Sequence, residues 1–135
     1  MDEVKLTTYR CGSERKRGEG LRIGTVRYLP RGVKKENYAK GNFFDVWLPA
    51  VAPSRELLTE FKKHDINDPK TLEMFFGRYE REMKNSTDAR QTIHLLAAIA
   101  AETPIAIGCY CEDEAQCHRS VLKRIIREAS RGEWA

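Results

Sequence analysis

The chain has 135 residues, 41% of them hydrophobic and 33% charged, which predicts one globular domain over residues 1–135 that buries roughly two thirds of its unfolded surface. No apolar run reaches the roughly 18 residues of a membrane span, and the start Met1-Asp2-Glu3 does not resemble a signal peptide. We therefore expect a cytoplasmic protein without a membrane partner, in which the four cysteines are mostly thiols.

Positive charge is concentrated at the front of the chain. Residues 1–41 contain eleven Lys or Arg and five Asp or Glu, although the net charge of the whole chain is only +4. Such a segment attracts phosphate-bearing ligands or nucleic acid. A solvated basic face is an equally valid interpretation, because most of these residues fall in predicted loops and strand edges.

The first half of the chain predicts short strands joined by polar loops. Alternating apolar residues indicate strands at 4–9 and 21–28, and the aromatic stretch 43–48 indicates a strand or a packed connector. Between the last two, Pro30 and Gly32 indicate a tight turn.

The second half predicts helices. Ser54 and Asp68 are candidate N-caps of two helices, and Ser86 or Thr87 is a candidate N-cap of a third. Apolar residues recur at helical spacing after each of these positions, which predicts that one face of each helix lies in the core.

A short apolar run at 105–110 follows the third predicted helix and is typical of a strand buried on both faces of a parallel sheet. A fourth helix is predicted from Cys117 onward. Together these patterns predict an α/β fold, a single three-layer domain with a mainly parallel sheet flanked by helices. Ligand crevices of such folds form at the carboxyl edge of the strands, where five residues converge on one candidate site: Cys109, Cys111, Cys117, His118 and Arg119.

Three interpretations of this cluster compete. A thiolate is the first: Cys117 lies at a helix start with His118 and Arg119 beside it, which lowers a thiol pKa, and Cys109 is a resolving partner or the nucleophile itself. We predict that Cys117 has a lower pKa than Cys109, because burial at the end of an apolar strand raises the pKa of Cys109.

The second interpretation is a zinc site, since the pattern C-x-C-x5-C-H supplies three sulfurs and one imidazole. Neighbours on a helix point about 100° apart, which predicts that Cys117 and His118 diverge and argues against a four-ligand cage. The third is structural, with Cys109 packed in the sheet, His118 bonded locally and Arg119 paired with an acidic loop residue. A cysteine phosphatase is excluded, because the acidic residues at 112–114 repel a phosphoryl group.

Four strings make the chain similar to a known family: VRYLPRGVKKE at 26–36, WLPAVAPS at 47–54, FxxRYxxE at 75–82 and the ending CYCEDEAQCHRSVL. With these, the chain resembles domain-of-unknown-function family 488, including its YeaO-like branch and the branches with a Cys-His-Arg signature. The resemblance implies a small cytosolic α/β protein of prokaryotic type, and it implies the fold rather than a reaction. Cys111 stands where the family often has an acidic residue. The matching positions are Arg27, Pro30, Arg31, Gly32, Ser54, Cys109, Cys117, His118 and Arg119.

The leading hypothesis is a cysteine-dependent enzyme or redox protein that acts on an anionic small molecule. Its reactive thiol is Cys109 or Cys117, and His118 is the acid or base. The anion-binding residues are Arg27, Arg31, Arg119 and Ser54. A nucleic-acid or anion-binding module without catalysis and a zinc-binding Cys/His site are the alternatives, and the sequence assigns no cofactor and no oligomeric state.

Overall fold

The computed structural model describes residues 4–134, which form a four-stranded parallel sheet with four α-helices. The strands are β1 (Leu6–Arg10), β2 (Leu21–Gly24), β3 (Val46–Trp47) and β4 (Ile105–Cys109). The helices are α1 (Arg55–Lys62), α2 (Pro69–Asn85), α3 (Thr87–Glu102) and α4 (His118–Ser130). The predicted α/β fold with a parallel sheet is confirmed.

Strand β4 lies inside the sheet, whose order is β1-β4-β2-β3. It pairs in parallel with β1 from Leu6 opposite Ile105 to Arg10 opposite Cys109, and with β2 on its other side. All residues of β4 are buried, as the unbroken apolar run predicts. Because β1, β2 and β4 are parallel, they end at the same edge of the sheet, and Cys109 lies at that edge.

The two faces of the sheet pack against different layers. One face presents Leu6, Ile23 and Ile107 to the four helices. The other face carries Tyr9 and Ala106 and packs against the aromatic residues of the segment that joins β2 to β3, which are Tyr38, Phe43 and Phe44. The layer on this second face is thin, because the segment that forms it contains only one short 3-10 helix, Lys35–Asn37, among the described residues.

Each of the first three helices begins at a side chain that caps it. Ser54 accepts a 3.1 Å hydrogen bond at the start of α1, Asp68 accepts one of 3.0 Å before the Pro69 that opens α2, and Ser86 accepts one of 3.1 Å at the start of α3. These three predicted N-caps are confirmed. The predicted strand 21–28 is shorter than expected, because the chain leaves the sheet after Gly24.

Candidate functional site

A candidate site lies where β4 ends and α4 begins. Cys109 is the last residue of β4, and Cys117 is the N-cap of α4, whose first helical residue is His118. The acidic loop between them folds into a 3-10 turn, Glu114–Gln116, and Asp113 caps this turn by accepting a 2.9 Å hydrogen bond from its backbone. The loop therefore turns back and brings the start of α4 next to the end of β4.

The cysteine and histidine side chains form one compact cluster. The donor atoms of Cys109, Cys117 and His118 lie within 4.8 Å of one another, and all three residues are buried. The Sγ atom of Cys111 lies 3.8 Å from that of Cys109, and the Sγ atom of Cys117 lies 3.7 Å from Nδ1 of His118. The prediction that Cys117 and His118 diverge is wrong. Cys117 has extended dihedral angles, φ −123° and ψ 145°, so the helical spacing of 100° does not apply to it.

Thr25 orients the ring of His118. The Nε2 atom lies 2.7 Å from the backbone oxygen of Thr25 and 3.2 Å from its Oγ1 atom. Because a carbonyl oxygen only accepts hydrogen bonds, we assign the ring proton to Nε2, and the unprotonated Nδ1 then faces Cys117. Burial lowers the pKa of His118 to about 4, although the hydrogen bond to Thr25 opposes this shift. The imidazole is therefore neutral at pH 7.

Cys111 is the thiol that best carries a negative charge. Hydrogen bonds from Cys109 and from Cys117 lower its pKa, burial opposes them, and the positive charge of Arg119 lowers it further. The hydrogen bond with Cys111 is the main cause that raises the pKa of Cys109 to about 11. Hydrogen bonds with the sulfurs of Cys109 and Cys111, together with burial, raise the pKa of Cys117.

The prediction of an activated Cys117 is therefore wrong. This side chain is 1% exposed and lies against two other sulfurs, so a negative charge on it would be both desolvated and close to a second thiolate. All four cysteines lie in the described part of the chain, and among them Cys111 alone is exposed.

A cavity of about 230 Å³ adjoins the sulfur cluster, and its lining includes all three cysteines of the cluster and His118. Phe61 and Phe75 form part of its wall, with their rings stacked at a centroid distance of 4.2 Å. Two cationic residues, Arg27 and Lys62, also line it. The remaining lining residues are Val26, Tyr28, Pro53, Leu58, Tyr110 and Gln116.

The structure does not bring the four predicted anion-binding residues into one cavity, although Arg27 and Ser54 both line a separate surface pocket beside Glu82. Arg27 lines the cavity, but its Nε and Nη2 atoms donate to three backbone oxygens within residues 49–53 at 3.0, 3.1 and 3.2 Å. Arg31 is exposed and lies outside the cavity lining. Ser54 also lies outside it, where its hydroxyl donates to Glu82 and accepts from α1.

Arg119 is a buried cation beside the cluster. Its side chain is inside the protein, with the residue only 3% exposed, and its Nη1 donates a 2.9 Å hydrogen bond to the backbone oxygen of Cys111. Its Nε atom has no hydrogen-bond partner within residues 4–134. The guanidinium therefore adds positive potential to the sulfur cluster without lining the cavity.

The family model of the active DUF488-N3 subclade matches residues 6–130. The chain belongs to the DUF488 family. The match spans the sulfur cluster and the cavity of this DUF488 protein, and it confirms the family resemblance of the sequence motifs. No curated protein and no solved structure matches the chain.

Two arginines of the basic front segment of the DUF488 chain form ion pairs, the exposed Arg15 and the buried Arg22. Arg15 pairs with Asp45 at 2.8 Å, and Arg22 pairs with Glu19 at 2.6 Å. Nucleic-acid binding by this segment stays a prediction. No helix in the part of the chain that the structure describes combines the length and the hydrophobicity that a bilayer crossing requires.

Sequence reasoning missed three features of the DUF488 site. Thr25 shows no sequence signal, since it meets His118 only through the pairing of β2 with β4. Lys62 lies in the last turn of α1 and reaches the cavity through tertiary packing. Phe75 is a buried core residue of α2 that also lines the cavity, and its helical spacing indicates only the core position.

Proposed function

We propose that this DUF488 chain is a cysteine-dependent enzyme that acts on a small anionic molecule in the cavity, with Cys111 as the nucleophilic sulfur. The observation that carries the proposal is the access of this sulfur. All three cysteines of the cluster line the cavity, but Cys111 is exposed, whereas the neighbouring Cys109 and Cys117 are buried. The nucleophile is thus reassigned from the two cysteines that the sequence favoured.

The surroundings of Cys111 suit a nucleophilic thiolate. Cysteine nucleophiles lie in positive, partly exposed environments, and a thiolate rather than a thiol attacks the substrate. Here the guanidinium of Arg119 is bonded to the backbone of Cys111 at 2.9 Å, and Cys109 offers its S–H group at 3.8 Å. Both groups stabilise negative charge on the exposed sulfur.

The covalent step is a nucleophilic substitution at an electrophilic carbon of the substrate. The Cys111 sulfur donates an electron pair and forms an S–C bond, while the bond from that carbon to the leaving group breaks and the leaving group departs with its electron pair. Water or a second acceptor then forms a bond to the same carbon and loses its proton to the solvent, while the S–C bond breaks and its electron pair returns to Cys111 as the thiolate. His118 is a positioning residue in this proposal, because Nε2 is bonded to Thr25 and Nδ1 faces Cys117.

The lining of the cavity favours a substrate with an apolar body and an anionic group. Phe61 and Phe75 offer flat apolar surface, and Lys62 provides an exposed ammonium group. Arg27 adds positive charge, although two of its nitrogens are engaged with backbone oxygens. The proposal includes the predicted cytoplasmic location, since reactive thiols stay reduced there.

The test is the alkylation of reduced, chelator-treated protein by iodoacetamide at pH 7, with the modified cysteine identified by mass spectrometry. We expect Cys111 to react at least about tenfold faster than glutathione, because a free thiol is only a few per cent thiolate at this pH. Arg119→Gln should slow the reaction, and Arg131→Gln at an exposed ion pair should not. A wild-type rate equal to or below that of glutathione contradicts the proposal.

A further inference from the structure

We infer that the same cluster binds a borderline-soft divalent cation of the zinc type, through Cys109 Sγ, Cys117 Sγ and His118 Nδ1, with Cys111 Sγ as the fourth ligand. The inference rests on the proposed function in one respect, the role of Cys111. In the metal site the nucleophilic Cys111 is a metal-bound thiolate that faces the cavity. The three buried residues are held by secondary structure at the end of β4 and the start of α4, whereas Cys111 is on the loop.

Two of the spacings between donor atoms match those of a tetrahedral site. Zinc lies about 2.3 Å from a thiolate sulfur and about 2.0 Å from an imidazole nitrogen, so tetrahedral ligands are about 3.8 Å apart for two sulfurs and about 3.5 Å for sulfur and nitrogen. The observed distances are 3.8 Å between Cys109 and Cys111 and 3.7 Å between Cys117 and Nδ1 of His118. The three buried donors also lie within 4.8 Å of one another, so a side-chain movement of about 1 Å would bring all three to tetrahedral spacing around one ion.

The hydrogen bond of His118 prepares the ring for a metal. A histidine that ligates through one nitrogen usually donates its other N–H to a carboxylate or a backbone carbonyl, which fixes the tautomer. Nε2 of His118 makes this bond to the backbone oxygen of Thr25 at 2.7 Å, and Thr25 is itself held by a 2.9 Å bond from Oγ1 to Gly108. Nδ1 is therefore free of a proton and directed at the sulfurs.

Arg119 supplies the charge that balances such a site. A divalent ion with three thiolates and one neutral imidazole carries one net negative charge, and a buried charge needs a partner. Arg119 is 3% exposed, contacts the Cys111 backbone at 2.9 Å and leaves its Nε without a partner among residues 4–134. A bound metal complex would account for a buried guanidinium at this position.

The ligand arrangement combines a buried support with an accessible ligand. All four residues line the cavity, but Cys109, Cys117 and His118 are buried, whereas Cys111 at the fourth position is exposed. A bound zinc ion keeps its coordinating thiol deprotonated and acts as a Lewis acid. It would therefore favour the thiolate form of Cys111 in the step proposed above.

The test is metal binding by the full chain. The metal content is first measured in protein purified without chelator. The metal is then removed with chelator, and the chain is titrated with Co²⁺. We expect about one equivalent of metal, thiolate-to-cobalt charge-transfer absorption and d–d bands of tetrahedral Co²⁺. Cys117→Ser and His118→Gln should each weaken Co²⁺ binding by at least about tenfold. Cys11→Ser and His64→Gln are matched controls outside the cluster, and they should bind like the wild type.

Two outcomes overturn the inference: a wild-type chain that binds no Co²⁺, and binding that survives in both Cys117→Ser and His118→Gln. Circular dichroism checks that each variant is folded, and the wild-type stoichiometry decides the question if a variant is not. The alkylation rate of Cys111 is measured without metal, so a reactive Cys111 in a chain that binds no Co²⁺ removes the metal site and leaves the proposed function standing. An unreactive Cys111 in a chain that binds Co²⁺ removes the proposed function and leaves the metal site standing.

Discussion

The Nε2 atom of His118 lies 2.7 Å from the backbone oxygen of Thr25, and this contact joins the first residue of α4 to the residue that follows β2. The two residues are far apart in the chain, and both are buried. The contact decides which nitrogen of the ring faces the sulfur cluster, so it links the packing of the fold to the chemistry of the site.

Two substitutions separate the roles of the two ring nitrogens. The amide nitrogen of glutamine can replace Nε2 as the donor to Thr25, whereas that of asparagine reaches only the position of Nδ1. We expect His118→Asn to lower the free energy of unfolding by about 1–3 kcal/mol relative to His118→Gln, because the Thr25 oxygen loses its donor. Urea denaturation with chelator present measures the difference, and equal stability of the two variants would contradict the assignment.

The ion pair of Glu19 with Arg22 is predicted to be essential for stability. Arg22 is fully buried, its Nε lies 2.6 Å from Glu19, and its guanidinium lies 4.1 Å from the centroid of the Tyr9 ring. Glu19→Gln should lower the free energy of unfolding by about 3 kcal/mol, because it leaves a buried cation without a counter-charge. Urea denaturation measures this loss. The control is Glu14→Gln, which changes an exposed carboxylate nearby. Similar losses in both variants would argue against the pair.

The ion pair of Glu19 with Arg22 is also predicted to contribute stability that is lost in acid. Burial raises the pKa of Glu19, but hydrogen bonds from Arg22 and from the backbone of Lys16 outweigh it and hold the pKa below its usual value. A lowered pKa contributes stability above the unfolded value of about 4.3, and this is lost as the pH falls through the folded pKa. The stability difference between wild type and Glu19→Gln should therefore shrink below about pH 4. A difference that stays constant in acid would show that the charge of Glu19 is not its cause.

Gly108 is predicted to tolerate no side chain. Gly108 lies in β4, one of the two interior strands of the sheet, and a Cβ atom at this position would lie 2.3 Å from the Tyr9 ring. Gly108→Ala should cost about 1–3 kcal/mol of unfolding free energy through overpacking. Gly77→Ala on α2 is the matched control. Its Cβ would meet its nearest atom at 3.9 Å, and alanine in a helix should stabilise the chain by about 0.5–1 kcal/mol. Thermal denaturation of both variants checks that Gly108→Ala lowers the stability and that Gly77→Ala raises it.

An aromatic carboxylate is predicted to protect Cys111 from alkylation. Benzoate carries the apolar ring and the single negative charge that the cavity lining favours, so it should slow the reaction of Cys111 with iodoacetamide. Lys62→Gln should weaken this protection about fivefold, which corresponds to about 1 kcal/mol for an exposed ion pair. Lys63→Gln serves as the control, because Lys63 lies outside the lining and pairs with Glu60 at 3.9 Å. Equal protection in both variants would exclude a role of Lys62 in anion binding.

Local sequence signals predicted much of the fold and the members of the sulfur cluster. Ser54, Asp68 and Ser86 were recognised as N-caps, because capping depends on a side chain and on backbone groups a few residues away. The cluster was recognised because its cysteines and His118 follow one another along a single strand-loop-helix unit. The shorter strand β2 was not predicted, since its end depends on contacts with distant parts of the chain.

The sequence by itself determined the parallel α/β fold, with a buried strand that delivers Cys109 to the edge of the sheet, because hydrophobic periodicity and capping are local properties. Only the tertiary structure decided how the cluster is arranged. The extended backbone of Cys117 brings this residue and His118 to one point, Thr25 arrives from another strand, and the fold buries every cysteine except Cys111. Exposure, pKa and ligand geometry depend on such long-range packing, so no spacing along the chain could identify Cys111 as the accessible sulfur.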